Sequence, residues 1–350
     1  MKYLKAAKKN AENVKKQILS LDLFDKSRKI GFEENFVLFP LIDISNRRLK
    51  KYIEKSIKYK TELIEKEDSI SPLKNNATYI NQIFEKYKGS LAKGYDILGN
   101  IAIIKSELNK KEESEVAKEI LNFNKQITTV VAQIGAVSGK YRLRKFRYVL
   151  GVKTFISNYR ESGCLFKFDI RKTFFSNRLS YERERINNQV KENENICVMF
   201  AGVGPFAIEI AKKHKSTNIV AIEMNKNAVK YMENNIILNK TPNVKAVLGD
   251  VRTQSKNYKG FADRVIVPMP KSSMEFLNQI LEVSKKKAIV HIYLFGDKDS
   301  VFEDTRKVLK LHAKNNNYTV KILLERVVRT YSKNEIEVVV DYKINRTLPI

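Results

Sequence analysis

The sequence predicts an α/β fold in which a C-terminal domain, built on a mostly parallel sheet, follows two small α+β domains. The main observation is a change of pattern near Phe166. From there on, short apolar runs alternate with helical patterns, as is typical of βαβ units. Before Phe166 the predicted strands and helices are short and mixed, and Lys and Arg are frequent. The predicted domains are 1–68, 69–160 and 161–350.

The charge of the chain indicates the kind of partner it binds. Among 350 residues, 66 Lys and Arg stand against 39 Asp and Glu, for a formal net charge of +27. A charge of this size attracts polyanions, which favours a nucleic acid partner. A general Lys-rich bias in the source proteome is the alternative explanation.

Other features of the composition exclude several classes of protein. No apolar run approaches the roughly 18 residues of a membrane span, and the N-terminus lacks the apolar core of a signal peptide. We therefore expect a cytoplasmic protein that binds no membrane. Cys164, Cys197 and three scattered histidines show neither disulfide nor zinc spacing, so no metal is expected.

The two N-terminal domains have a coarse pattern of elements. The first is predicted to hold a helix and two strands before a charged linker that ends near Asp68: Leu4–Leu19, Arg28–Ile30 and Phe36–Leu38. The second is predicted to hold two helices, Asn76–Tyr87 and Glu112–Phe123, and three strands, Tyr95–Ile104, Thr128–Val137 and Tyr141–Leu150. Basic and aromatic residues interleave from Lys140 to Tyr148. This pattern suits phosphate contacts with base stacking, and a solvated edge strand is the alternative.

The C-terminal domain has the alternation of a Rossmann-like sheet. Its predicted parallel strands are Ile196–Phe200, Ile219–Glu223, Val244–Leu248, Arg264–Val267 and Ala288–Phe295. The predicted helices between and after them are Phe206–His214, Asn227–Leu238, Ser273–Val283 and Val301–Lys314. Two long strands, Thr319–Val328 and Glu335–Ile344, are predicted to end the chain as an antiparallel hairpin.

The first strand of this domain leads into a glycine-rich turn that is a candidate cofactor site. Gly202 and Gly204 let the backbone turn sharply from strand to helix and approach a ligand closely. Glu223 ends the next strand, where a carboxylate can accept hydrogen bonds from both ribose hydroxyls. Asp250 ends the third strand, where an acidic side chain can meet an adenine amino group.

S-adenosylmethionine fits this pattern better than a dinucleotide. The third glycine of the dinucleotide pattern is replaced by Ala207, although that pattern tolerates alanine there. A purely structural turn is the other explanation. The predicted cofactor-binding residues are Phe200, Gly202, Gly204, Pro205, Phe206, Glu223, Met224, Asp250 and Val251.

Motifs follow one another in a fixed order along most of the chain. The C-terminal members are CLFKFD from Cys164, RLSYERER from Arg178, MFAGVGPF from Met199, NKNAVKYMENNIILNK from Asn225, DRVI from Asp263 and HIY from His291. The upstream members are YDILGNIAII from Tyr95 and GKYR from Gly139. Together they resemble the archaeal and eukaryotic tRNA (guanine-37, N1) methyltransferases. The resemblance covers nearly the whole chain and implies a class I methyltransferase domain preceded by two RNA-docking domains.

The resemblance also implies a substrate and roles for single residues. The N-terminal domain would dock on the outer corner of tRNA, and the other two domains would hold the anticodon loop with the target guanosine flipped out. A monomer is expected. Guanine N1 must lose a proton before it attacks, which requires a base and a cation near O6. Glu182 matches the family's base, with Glu184 as a rival, Arg142 matches the O6-stabilising arginine, and Arg178 matches an arginine that orders the site.

Two positions depart from the family pattern. Val198 stands where an aspartate usually opens the glycine motif. The loop after the fourth strand reads Pro268-Met269-Pro270-Lys271, where the family usually has an asparagine first, so the substrate-reading amide is absent. We hypothesise that this stiff apolar wall also admits the tricyclic wyosine precursor 4-demethylwyosine, methylated at C7. The alternative is that backbone carbonyls or Lys271 replace the lost amide.

Two other functions compete with methyl transfer. The first is the aminocarboxypropyl transfer of the wyosine pathway, which uses a different group of the same cofactor. Arg142, Glu182 and the Pro-x-Pro loop favour methyl transfer over it. The second is a tRNA-binding protein with an inactive site, because the residues at positions 198 and 268 have departed from the family.

Overall fold

The structure is a computed structural model that describes residues 2–21, 23–25, 30–42, 53, 57–65, 95–104, 108–139 and 141–346. The chain divides into two compact units, Met1–Ala92 and Lys93–Ile350. The second unit contains the whole of the third predicted domain and residues 93–160 of the second, whose first residues, 69–92, belong to the first unit. The predicted boundaries themselves stay predictions. Within the described ranges, no helix is long and apolar enough to cross a membrane.

Among its described residues, the first unit contains a four-stranded antiparallel sheet, ordered β2-β3-β1-β4, and a helix that packs on it. The strands are β1 (Lys2–Ala7), β2 (Gly31–Phe32), β3 (Phe36–Pro40) and β4 (Thr61–Glu65), and the helix is α1 (Ala11–Ser20). Its core is formed by buried aliphatic and aromatic side chains of the sheet and the helix, among them Leu4, Val14, Ile18, Val37 and Phe39.

Two predictions for this unit are wrong. The first four residues of the predicted helix Leu4–Leu19 belong to strand β1, because this segment pairs on one side with β3 and on the other with β4. Those partners are distant in sequence, so helical spacing alone could not reveal them. The predicted charged linker contains β4. The predicted helix Asn76–Tyr87 lies outside the described residues.

The second unit begins with a four-stranded sheet, ordered β5-β6-β7-β8. Its strands are β5 (Tyr95–Leu98), β6 (Ile101–Ile104), β7 (Thr129–Ser138) and β8 (Leu143–Gly151). The predicted single strand Tyr95–Ile104 is wrong, because the chain reverses at Gly99, whose φ is 60°. A Cβ at Gly99 would lie 2.3 Å from the Asn158 carbonyl oxygen, so only glycine fits this turn.

Helix α2 (Lys110–Phe123) connects β6 to β7, which are parallel. The predicted helix Glu112–Phe123 is therefore confirmed. Asn109 caps it by accepting hydrogen bonds from the backbone N–H groups of Lys111 and Glu112, and the Glu112 side chain accepts from the Asn109 N–H. This capping box satisfies N–H groups that a helix otherwise leaves unpaired at its start.

A hairpin that the sequence analysis did not anticipate follows, formed by β9 (Ile156–Glu161) and β10 (Cys164–Asp169). It is attached by two asparagines to a helix of the next sheet, Lys226–Asn239. Asn239 accepts a hydrogen bond from the Leu165 N–H and Asn235 from the Lys167 N–H, each at 2.8 Å. The two asparagine side chains thus accept hydrogen bonds from the backbone N–H groups along one edge of β10, where a neighbouring strand would otherwise be needed.

The Rossmann-like sheet has seven strands in the order β13-β12-β11-β14-β15-β17-β16. Its strands are β11 (Asn195–Met199), β12 (Asn218–Glu223), β13 (Val244–Leu248), β14 (Ala262–Val267), β15 (Ser284–Asp297), β16 (Tyr318–Thr330) and β17 (Glu335–Arg346). The first five strands of this order are parallel, and β17 and β16 are antiparallel additions. The predicted α/β fold is confirmed, including the terminal hairpin.

Helices cover both faces of this sheet. They are α3 (Ser180–Asn187), α4 (Pro205–Lys213), α5 (Lys226–Asn239), α6 (Val251–Gln254), α7 (Leu277–Val283) and α8 (Val301–Asn315). Alternate residues of β11 point to opposite sides, with Cys197 and Met199 in one core and Ile196 and Val198 in the other. The carboxyl ends of the parallel strands thereby meet at one edge, which is where ligands bind in such sheets.

Candidate active site

The glycine-rich turn after β11 shapes one side of the site. Phe200 and Gly202 have positive φ angles of 54° and 58°, and α4 begins at Pro205. A Cβ on Gly202 would meet only the Phe174 carbonyl oxygen, at 3.5 Å, whereas one on Gly204 would lie 2.9 Å from the Met232 side chain. Gly202 therefore leaves room for a ligand, while Gly204 allows α4 to pack against α5.

Glu223, at the end of β12, faces this turn. Its two carboxylate oxygens accept hydrogen bonds from the backbone N–H groups of Gly202 and Asn225, each at 2.8 Å. Burial raises the pKa of the Glu223 carboxyl, although these N–H groups oppose the shift. Each oxygen can accept a further hydrogen bond, so the carboxylate is placed to hold neighbouring hydroxyl groups.

A cavity of about 310 Å³ lies along the carboxyl ends of the strands in the second unit. Its lining includes seven of the predicted site residues: Arg142, Phe200, Gly202, Glu223, Met224, Pro268 and Pro270. The lining follows the sheet order from Glu223 on β12 to Pro268 after β14 and Phe295 on β15. The cavity thus continues from the glycine turn toward the antiparallel end of the sheet.

Five predicted cofactor residues lie outside the lining: Gly204, Pro205, Phe206, Asp250 and Val251. Phe206 and Val251 are buried in the core, and Asp250 caps α6 by accepting a hydrogen bond from the Arg252 N–H. Arg252 itself lines the cavity and lies over the Phe276 ring, 4.3 Å from its centroid. Sequence reasoning missed this pair, because no local motif links α6 to the turn before α7.

Glu182 is outside the lining of the cavity. It is 1% exposed, and its carboxylate accepts hydrogen bonds from Tyr293 and Arg185, each at 2.9 Å, and from Arg326. Leu179, one helical turn earlier, does line the cavity. Tyr293, which donates to Glu182, precedes the lining residue Phe295 by two residues on β15. This spacing corresponds to about 7 Å along a strand.

A buried network extends from Glu182 across the sheet. Arg185 binds Asp341, whose carboxylate accepts a hydrogen bond from His291 Nδ1 at 2.7 Å. Arg264 donates to His291 Nε2, also at 2.7 Å, which leaves the proton on Nδ1. Burial lowers the pKa of His291, so this ring is neutral near pH 7. The network holds Arg185, and through it Glu182, in one orientation.

Arg142 lies in the cavity with a strained backbone. Its φ is 53°, in the left-handed region, and its guanidinium is 5.4 Å from the centroid of the Phe174 ring, which also lines the cavity. Strain of this kind in a non-glycine residue is concentrated at functional sites. Arg178 lies outside the lining, is half exposed and pairs with Asp96 at 3.7 Å.

The loop after β14 forms one wall. Pro268, Met269 and Pro270 all line the cavity, and the Pro270 carbonyl oxygen accepts a hydrogen bond from the Phe295 N–H at 3.1 Å. Lys271 is exposed and outside the lining. The loop therefore forms the apolar wall that the sequence predicted, and its hydrogen bond to β15 keeps it in place.

Three further residues of the sheet belong to the lining: Phe295 on β15, Arg329 on β16 and Glu337 on β17. The sequence analysis missed them. A signal existed, since Glu337 is an acidic residue between the apolar residues Ile336 and Val338. Among the residues that the structure describes, no group of three His, Cys, Asp or Glu side chains could hold a metal ion.

Comparisons with known proteins agree with this geometry. Residues 157–322 match the TRM5/TYW2 methyltransferase domain, 4–50 match the tRNA methyltransferase 5 N-terminal domain, and 79–154 match the TYW2 N-terminal domain. The chain is similar to the tRNA (guanine(37)-N(1))-methyltransferase Trm5b of Pyrococcus abyssi, with 31% identity over 98% of both chains.

Two further relatives extend the comparison. The chain is 28% identical to the tRNA (guanine(37)-N(1))/4-demethylwyosine(37)-methyltransferase Taw22 of Nanoarchaeum equitans, over 68% of this chain and 96% of that protein. A solved complex of aTrm5 with tRNALeu matches with a TM-score of 0.67 and 28% identity, over 98% of this chain and 99% of that one. Since the fold, the glycine turn and the full-length similarity agree, the chain belongs to the TRM5/TYW2 family of methyltransferases.

Proposed function

We propose that this chain methylates N1 of guanosine 37 in tRNA, with S-adenosylmethionine as the methyl donor. The observation that carries the proposal is the single continuous cavity. It begins at the glycine turn and Glu223 and ends among Arg142, Arg329 and Glu337. A donor at the first end and a purine at the second would meet inside one cavity.

The residues at the first end fit S-adenosylmethionine. Glu223 can accept hydrogen bonds from both ribose hydroxyls, and the open space at Gly202 admits a ligand against the backbone. Phe276 and Arg252 offer an apolar and a cationic surface beside it. When bound, the cofactor supplies an electrophilic methyl group on its sulfonium. Gly204, Pro205, Phe206, Asp250 and Val251 would support the site by placing α4 and α6.

The second end fits a guanine whose N1 must lose a proton. Arg142 would donate to O6, where negative charge collects as the proton leaves. Glu182 would take the N1 proton. For this, the guanine must replace one of the side chains that donate a hydrogen bond to Glu182. Arg326 is the donor that can leave, because its side chain is 34% exposed and also lies over the exposed Tyr181 ring, 4.3 Å from its centroid.

The tRNA would reach the cavity over a basic surface. Tyr141 lies at the cavity and is 42% exposed, and Lys145 and Arg178 are exposed on neighbouring elements. These side chains suit phosphates and unstacked bases of an anticodon loop. The N-terminal unit would dock on the outer corner of the same tRNA, and one monomer would bind one tRNA.

A second activity is favoured by the proline wall. Pro268 and Pro270 present no amide to the substrate edge, and the Nanoarchaeum equitans relative is named for guanosine and 4-demethylwyosine alike. We therefore propose that C7 of 4-demethylwyosine at position 37 is also a substrate. Aminocarboxypropyl transfer and an inactive site are the competing functions, and both give distinct results in the assay below.

The test is nucleoside analysis by mass spectrometry after incubation of the purified chain with S-adenosylmethionine and tRNA. We expect 1-methylguanosine with a transcript that carries guanosine at position 37 and none when adenosine replaces it. A second transcript carrying 4-demethylwyosine is expected to gain one methyl group. A gain of an aminocarboxypropyl group instead would assign the chain to the other transfer, and no product with either would refute the proposal.

Replacing Glu223 with glutamine is expected to weaken S-adenosylmethionine binding by about 10- to 100-fold, since hydrogen bonds to a charged acceptor are worth about 1.5–3 kcal/mol. In the wild type, affinity should fall as the pH falls through the raised pKa of Glu223, because the ionised carboxylate accepts the hydroxyls. Isothermal calorimetry across pH measures both effects. An affinity of the variant equal to that of the wild type at neutral pH would exclude the ribose contact.

A further inference from the structure

Arg326 is the most exposed of the described side chains that donate to Glu182. Its side chain is 34% exposed, that of Arg185 is 11% exposed, and Tyr293 is buried. The Arg326 guanidinium also lies over the Tyr181 ring, 4.3 Å from its centroid, and Tyr181 is 60% exposed. Arg326 therefore reaches from the buried carboxylate to the protein surface, where a ligand can contact it.

A β-bulge places Arg326 and Arg329 on the same face of β16, the last strand in the sheet order. Their partners on β17 are Val339 and Glu337, which are two residues apart and therefore share a face. The two arginines are three residues apart, and a shift of register beside Arg329 absorbs the extra residue, Val328. In a regular strand, residues three apart point to opposite faces. The bulge is therefore what brings the two cations together.

The two arginines differ in their distance from the cavity. Arg329 lines it, whereas Arg326 is outside the lining and lies in the next row of the sheet, about 7 Å along the strand. A nucleotide that is flipped into a pocket places its base inside and remains attached to the strand through its two phosphates. Arg326 is therefore placed for the backbone of such a nucleotide and not for its base.

Arg326 needs another anion when it releases its carboxylate, because an unpaired charge in a partly buried place is costly. In one neighbouring row of the sheet, Glu337 is held by Arg329. In the other, Asp341 is held by Arg185. Both acids are already paired, so the new anion comes with the ligand. An RNA phosphate meets this need, since a guanidinium binds phosphate through two parallel hydrogen bonds.

We infer that Arg326 binds a backbone phosphate next to nucleotide 37 when the base is flipped in, and thereby frees Glu182 to take the proton. In the absence of RNA, Arg326 keeps the buried carboxylate paired, and the Tyr181 ring holds the guanidinium near the surface. The contact is to the backbone, so it is the same for guanosine and for 4-demethylwyosine. This inference rests on the proposed function, and it adds an RNA contact on the terminal hairpin.

The test uses tRNA joined from two RNA pieces, with a neutral methylphosphonate in place of the phosphate either 5′ or 3′ of guanosine 37. The variants are Arg326→Gln and Arg326→Lys, with Lys321→Gln as the matched control. Lys321 is a cation on the same strand that is exposed and outside the cavity lining. Single-turnover methyl transfer at increasing enzyme concentration gives the apparent affinity for tRNA, and the melting temperature shows whether each variant is folded.

On unmodified tRNA, Arg326→Gln is expected to lower the apparent affinity by about 10-fold, the value of a hydrogen bond between charged groups. The slope of log affinity against log salt concentration should become shallower by about 0.7, as for one lost contact to a single strand. One of the two methylphosphonates should cause a similar loss of affinity in the wild type and in Lys321→Gln, and little further loss in Arg326→Gln. Arg326→Lys keeps the charge but not the forked donors, so its methylphosphonate effect should be intermediate.

A wild type that is indifferent to both methylphosphonates would overturn the inference. Equal methylphosphonate losses in the wild type and in Arg326→Gln would also overturn it, because another residue would then bind the phosphate. If Arg326→Gln does not fold, Arg326→Lys takes its place, and an undiminished methylphosphonate effect in that variant would have the same meaning. A wild type that transfers no methyl group to unmodified tRNA would instead refute the proposed function.

Discussion

Glu182→Gln is expected to lower the single-turnover rate of methyl transfer by about 10²–10⁴-fold, the usual effect of losing a general base. The glutamine keeps the shape of the side chain but cannot take the N1 proton. S-adenosylmethionine affinity should stay near that of the wild type, because Glu182 is outside the cavity lining and bonds to Tyr293 and Arg185. Rapid-quench kinetics with saturating tRNA measure the rate, and calorimetry measures the affinity.

The neighbouring Glu184 supplies the control. It lies two residues away on the same helix, and it is exposed. Glu184→Gln should therefore leave the rate within about twofold of the wild type, as exposed substitutions rarely disturb a site. Because Glu182 holds two arginines, the melting temperature of each variant must also be measured. A folded Glu182→Gln protein with a normal rate would assign the base to another group, and Glu337 would be the first candidate.

Arg142→Gln is expected to lower kcat by about 10²–10³-fold, the effect of removing one donor from a developing oxyanion. Without the cation near O6, the N1 proton is harder to remove. The rate of the variant should therefore rise more steeply with pH than that of the wild type. A pH–rate profile under single-turnover conditions shows this difference, and Arg142→Lys should recover part of the lost rate.

Lys145→Gln is the matched control for Arg142, since Lys145 is a basic residue on β8 that is exposed and outside the cavity lining. It should weaken tRNA binding slightly and leave kcat unchanged. If Arg142→Gln raised only KM, with kcat and its pH dependence unaltered, Arg142 would be a phosphate or positioning contact. The same loss in both variants would show that the effect comes from net charge.

Patterns that are local in sequence were sufficient to predict much of the structure of the C-terminal domain. The alternation of strands and helices predicted the parallel sheet, because buried strands and amphipathic helices each show their period within a few residues. The glycine turn and Glu223 were found for the same reason, since a tight strand-to-helix turn needs glycine at Gly202. The family motifs then predicted Arg142, which the structure places in the cavity.

Local patterns failed where a partner is distant. Residues 4–7 satisfy helical spacing, yet they form β1 because strands on both sides supply backbone hydrogen bonds. Similarly, Tyr95–Ile104 alternates like one strand but reverses at Gly99, where the close approach of Asn158 excludes a side chain. In both cases tertiary pairing outweighed the intrinsic preference of the segment.

The sequence by itself determined the α/β sheet, the glycine turn and membership of the family, since each of these depends on patterns within short segments of the chain. Tertiary structure alone decided which side chains meet in the cavity. Arg326 reaches Glu182 across 144 residues of sequence, and the row of Phe295, Glu337 and Arg329 exists only because three strands pair in one register. A shift of one residue in that register would turn Glu337 to the opposite face, so its place in the cavity is a property of the assembled sheet.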